Sequence, residues 1–293
     1  MAHPVLRYAL HMLALLVLGP IAFYLASNLR DSVGSNAATL FYNSTPMHAA
    51  VFGVFTLVAA SAVGLAGARM FSTGTGLTAA GFVLAWAGWG LGTIDAIARA
   101  TNGRIPFVVL AIEGLVSVGF AAALTLVCTR IGTAGTQHRV WCLPMETDGL
   151  SGRPMDVLLA AGSATGGAAA AAYFFASSDS HGQTLAAAFF AGCAAGVIAQ
   201  LVLASRKLHA QPVLAVLAVG LVALAGPIVG QVLSGNRVLV DVFAGRLNPL
   251  SLPIGLVWAA GTLIGVPVGL GWAGHAIDRR TFSEPGLVTA TAD

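Results

Sequence analysis

Charge is what this chain of 293 residues has least of: Asp, Glu, Lys and Arg make up only 9% of it. A water-facing domain carries about a quarter. With 57% hydrophobic residues and a mean hydropathy of +0.85, the chain cannot cover a soluble surface. A soluble enzyme is excluded, and so is a disordered chain, because apolar material is far too abundant. Cysteine is scarce as well. Cys128, Cys142 and Cys193 form no CxxC pair, so neither a disulfide framework nor a zinc site is expected. Basic residues are not interleaved with aromatics, which argues against nucleic acid. Walker A, HExxH, rhomboid-type Gly-x-Ser-Gly and strand-linked GxGxxG patterns are missing, so no nucleotide, cofactor or metal is expected.

What the chain does have is long apolar runs. A membrane crossing needs about 20 mostly apolar residues. Eight segments qualify, near 6–26, 48–68, 76–94, 106–128, 156–176, 183–204, 212–233 and 252–274. The expected fold is all-α: a polytopic helical bundle in a lipid bilayer. The first run resembles a signal peptide in having Arg7 ahead of it. Cleavage after Ala26 would place Tyr24 where a small residue is required, so the run is read as a retained span. Nine of the fourteen Lys and Arg residues fall on the face holding both termini, and five on the other. The positive-inside bias makes both termini cytoplasmic. Residues 1–128 form a first four-helix half, 129–155 a cytoplasmic linker, 156–274 a second half and 275–293 a tail. High Ala and Gly content suggests a bacterial cytoplasmic (inner) membrane.

Spans 1–2 and 7–8 read as copies. At a shift of 207, Gly19-Pro20-Ile21 meets Gly226-Pro227-Ile228, Ser27 meets Ser234 and Arg30 meets Arg237. Further on, Ser44 meets Ser251 and Pro46 meets Pro253. Six helices separate the copies, so the repeat is parallel. In each copy an interfacial stretch follows Ser-x-x-Arg, and both stretches are expected to form a short amphipathic helix, the first more weakly patterned. Pro20 and Pro227 each free a carbonyl one turn back, and matched Gly/Pro breaks in two halves point to a transport site.

Glu113 is the most informative residue. It lies seven residues beyond Pro106, about 10 Å into span 4 at helical rise. A carboxylate there is costly unless paired, hydrated or protonated. Pro20 and Pro227 fall at a similar depth. The bland alternative pairs Glu113 with an outer arginine. Asp95 closes span 3 and can pair with Arg99 at i, i+4. Gln231, one turn beyond Pro227, either bridges helices or lines a path. Small residues at spacing four, Gly88/Gly92, Gly192/Gly196 and Gly261/Gly265/Gly269, predict close helix packing, tightest for spans 3 and 8.

Together these features favour a small-solute or ion transporter. Its site would face outward, built from Glu113, Pro20, Pro227, Gln231 and Asp95, with Arg30 and Arg237 at the rim of a hydrated vestibule. The alternative is a non-catalytic subunit or scaffold of a larger membrane complex, with partner subunits or a homo-oligomer. An intramembrane enzyme is the weakest reading, for want of a nucleophile–base pair.

Overall fold

A computed structural model describes residues 4–133, 154–206, 208 and 210–282, with side chains to 132 in the first stretch and to 277 in the last. Most of the proposed linker and the tail lies outside the described residues. Eight helices among those described are long and apolar enough to cross a membrane. They are Pro4–Ser27, Pro46–Met70, Thr73–Ala100, Phe107–Gly132, Pro154–Phe175, His181–Ala204, Pro212–Phe243 and Gly255–Ile277. Each overlaps one of the eight expected runs. The chain is a multi-pass membrane protein with an all-helical bundle.

Span 1 is made of α1 (Pro4–Leu13), a π-helical turn at Ala14–Leu18, and α2 (Gly19–Ser27). Span 2 is α3 (Pro46–Met70). Span 3 is α4 (Thr73–Trp89), followed after a break by the short α5 (Ile94–Ala100). Spans 4 to 6 are α6 (Phe107–Thr133), α7 (Pro154–Phe175) and α8 (His181–Ala204). Span 7 is α9 (Pro212–Ser234), with the short α10 (Val238–Phe243) beyond it, and span 8 is α11 (Gly255–Phe282).

Lipid tails are as apolar as leucine, so burial of apolar surface does not by itself hold such helices together; close backbone packing does. The glycine spacings supply it. A side chain at Gly265 would strike the Phe189 carbonyl, and one at Gly269 the Cys193 carbonyl. Across the same seam, a Cβ at Gly196 would sit 2.9 Å from the Val266 carbonyl. The stripes on α8 and α11 therefore mesh backbone to backbone. α4 meets the other side of α11, where Gly88 and Gly81 abut Val257 and Ile264. Spans 8 and 3 are accordingly the most enclosed, with 72% and 61% of their apolar windows buried, against 22% for spans 1 and 5. Span 5 has little Leu or Ile to pack. It turns a stripe of Ala160, Ala164, Ala168 and Ala172 inward instead.

At the end of the bundle away from the termini, the connections form a second small core. Ile94, Ile97, Ala98, Ile105, Phe107, Val238, Leu247 and Leu252 bury one another there, together with Ala37. This lid joins α5, α10 and the connections between spans. The stretch after Arg237 forms the expected short helix, α10. The stretch after Arg30 does not: residues 28–45 are turns and bends. Asp31 explains the difference. Its carboxylate accepts from the amides of Val33 (3.1 Å) and Ser35 (2.7 Å) and from the Ser35 hydroxyl (2.8 Å). Local side-chain bonds of this kind compete with helix formation, and Gly34 completes the turn at φ +80°.

Gly265→Ala should destabilise the protein by about 1–3 kcal/mol, the usual range for overpacking. Gly162→Ala, on open helix surface with nothing within 4 Å, should not lower stability. Thermal unfolding of the two variants in one detergent checks the contrast.

Candidate functional site

Glu113 is 0% exposed. The expected open vestibule is therefore not what the structure describes: the carboxylate is covered. Its cover is the irregular loop 28–45, which folds back over the bundle. Both ends of that loop are pinned together, since the Ser44 amide donates to the Arg30 carbonyl (2.7 Å) and the Ser44 hydroxyl to that of Asp31 (2.6 Å). Its tip is a tight turn. The Thr39 amide donates to the Tyr42 carbonyl (2.8 Å), the Tyr42 amide to the Thr39 hydroxyl (3.1 Å), and Asn43 to the Leu40 carbonyl (2.8 Å). The turn aims the Phe41 amide into the bundle, where it donates to Glu113 Oε2 at 3.1 Å.

The rest of the setting is built from glycines. Gly92 is not a helix-packing residue as its spacing to Gly88 suggests; it lies in the break between α4 and α5. Its amide donates to the Ala38 carbonyl (2.8 Å), and a Cβ there would sit 2.9 Å from Ala37. The break thus receives the loop. Gly255, the first residue of α11, lies directly on Glu113; a Cβ would be 2.8 Å from both Glu113 Cγ and its carbonyl. Gly114 faces α9, where a Cβ would be 2.9 Å from the Ala223 carbonyl, the one that Pro227 leaves without its helical donor. Nearby, the Ser251 hydroxyl donates to the Gly226 carbonyl at 2.9 Å and ties the entry of span 8 to the Gly-Pro position.

The structure thus brings Glu113, the Pro227 break and the entry to span 8 together. Other expected site residues lie elsewhere. Gly19-Pro20 packs on Trp86 of α4, and its break is absorbed by the π turn, with the Gly19 amide donating to the Ala14 carbonyl. The two Gly-Pro positions are matched in sequence but repaired differently. Gln231 is exposed, beside exposed Val232 and Leu233. Asp95 stands in the first turn of α5, near the end of span 3, and makes the expected pair with Arg99 at 2.9 Å; Arg99 covers the Phe243 ring. Arg30 turns to the carbonyls of Ser27 and Leu29, and Arg237 is exposed. None of the ion pairs described reaches Glu113, so the expected structural pairing with an outer arginine does not account for it.

Three residues of the site carried no signal read from the sequence. Asp31 is 1% exposed and shapes the loop. Ser117, one turn beyond Glu113 on the same face of α6, is 3% exposed and its hydroxyl is without a partner. Gly255 looked like any other small residue. Asp31 was legible in principle, as an Asp followed by Gly-Ser at turn spacing. Among the described residues, no group of three or more His, Cys, Asp and Glu is placed to hold a metal ion. Comparison with protein-family models, curated proteins and solved structures finds no match.

Asp31→Ala removes three hydrogen bonds to a buried carboxylate. Exchange of the amides at 39–42 should accelerate at least tenfold, while α4 and α11 stay protected. Hydrogen-exchange mass spectrometry on the full chain reads this.

Proposed function

We propose that this multi-pass membrane protein is a permease for a small solute or ion, with a path that runs past Glu113 and is closed at its outer end by the loop 28–45. One observation carries the reading: a fully buried carboxylate inside an apolar helix, covered by irregular backbone. Bilayer-spanning proteins tolerate irregular backbone only where it is enclosed in protein or lines a cavity, and intramembrane carboxylates mark ion and substrate paths. The Pro227 break beside Gly114 supports the same place, since interrupted helices flank transport sites. Asp95, Pro20, Gln231, Arg30 and Arg237 then serve the lid and the helix ends rather than the path.

On this reading the chain is not an enzyme. It sits in a bacterial cytoplasmic membrane with both termini inside and the lid outside. Residues 1–128 and 156–274 contribute jointly, because Glu113 of the first half rests on Gly255 of the second.

The test uses purified protein in sealed liposomes loaded with a pH-sensitive dye, challenged in turn with gradients of H+, Na+, K+ and NH4+. Flux well above empty liposomes, reduced at least tenfold by Glu113→Gln, is the expected result. Equal flux in the two proteins removes Glu113 from the path. No flux with any ion, together with a stably co-purifying membrane partner, favours the scaffold reading.

A further inference from the structure

Glu113 has two oxygens in different circumstances. Oε2 accepts from the Phe41 amide, and the Thr39 hydroxyl and Leu40 amide also face the carboxylate. Oε1 is buried and makes no hydrogen bond. One turn on, the Ser117 hydroxyl is buried and likewise without a partner. Ser117 shares the helix face of Glu113, but helical side chains lean toward the N terminus, so the Glu113 carboxylate is directed at the loop, where the Phe41 amide meets it.

No charge is placed to balance an anion here. α4 and α9 contain no titratable residue. α3 has His48 and Arg69 near its two ends, α6 has Cys128 and Arg130 near its last turns, and α11 has His275, Asp278, Arg279 and Arg280, about twenty residues from Gly255. From the loop, Arg30 binds its own neighbouring carbonyls and Asp31 closes its own turn, while Tyr42 follows Phe41 in the chain. The donors that meet this carboxylate are all neutral, and burying it as an unpaired anion with one oxygen unbonded costs more than their hydrogen bonds return. A proton on Oε1 removes that cost. Three side-chain oxygens, two of Glu113 and one of Thr39, are too few to replace the hydration shell of a metal cation. A proton needs no such shell.

We infer that Glu113 is a proton-binding site coupled to its cover. Oε1 carries a proton while residues 37–43 lie over it. When they lift, water reaches the carboxylate, the O–H bond breaks and the proton passes to solvent at that face. Closing reverses the step, with the proton taken from the same solvent. Binding of the proton stands on the geometry alone; only its use as the coupling ion rests on the permease reading.

Infrared difference spectroscopy on the full-length protein in liposomes tests this directly. At neutral pH the wild type should show the carbonyl band of a protonated carboxylic acid. Glu113→Gln should remove that band. Glu113→Asp provides a second assignment if the Gln variant does not fold. In alkaline buffer the band should fade in step with faster thiol labelling of Ala38→Cys, measured against Asn36→Cys, a reference at an exposed position of the same loop. Absence of a protonated band assignable to Glu113 overturns the proposal. So does a band that survives alkaline titration unchanged, which would mark a fixed structural acid. Either failure leaves the flux result to decide the permease reading separately.

Discussion

Everything at the end of this bundle away from the termini follows from one constraint: a buried carboxylate and irregular backbone must satisfy each other where water is excluded. Residues 28–45 leave helix because Asp31 draws the local amides to itself. The exposed amides of such a loop need acceptors, and Glu113 supplies one to Phe41. The loop then needs somewhere to rest. It finds that place in the break after α4, where Gly92 offers both an amide and room for Ala37 and Ala38. The loop, the break and the carboxylate are thus parts of one arrangement rather than separate irregularities.

The same economy governs the helices. Without a hydrophobic drive inside lipid, the bundle relies on glycine and alanine to bring backbones together, and the α8–α11 seam is the densest example. Where a proline interrupts the pattern, the repair depends on its neighbours. Beside α4, span 1 rewinds through a π turn. Beside α6, the carbonyl freed by Pro227 lies against Gly114, and Ser251 binds the Gly226 carbonyl next to the proline. Two similar sequences therefore serve two roles, and only the second borders Glu113.

The eight helices were legible because length and hydropathy alone define a crossing. The tight packing of spans 3 and 8 was legible from glycine spacing. Glu113 stood out because a charge inside an apolar run is rare on any reading. What the sequence could not convey was the path of the loop. The stretch after Arg30 carries a weak helical pattern, and a few well-placed oxygens on Asp31 and Ser44 override it through contacts that no periodicity encodes. The Asp95–Arg99 pair was legible from its i, i+4 spacing, whereas the spacing of Gln231 left its direction open. Gln231 faces outward beside Val232, a direction set by the rotation of α9. Ser117 was overlooked because a serine in a transmembrane helix usually bonds its own backbone, and its hydroxyl here does not.

The most direct measurement is solvent access to position 113. Cys128, Cys142 and Cys193 are replaced, Glu113→Cys is introduced, and a membrane-impermeant thiol reagent is applied from each side. The account predicts slow labelling from the loop-covered face only, accelerated when Asp31→Ala loosens the loop. Labelling from the face that holds the termini, or none from either face with the loop loosened, would contradict it.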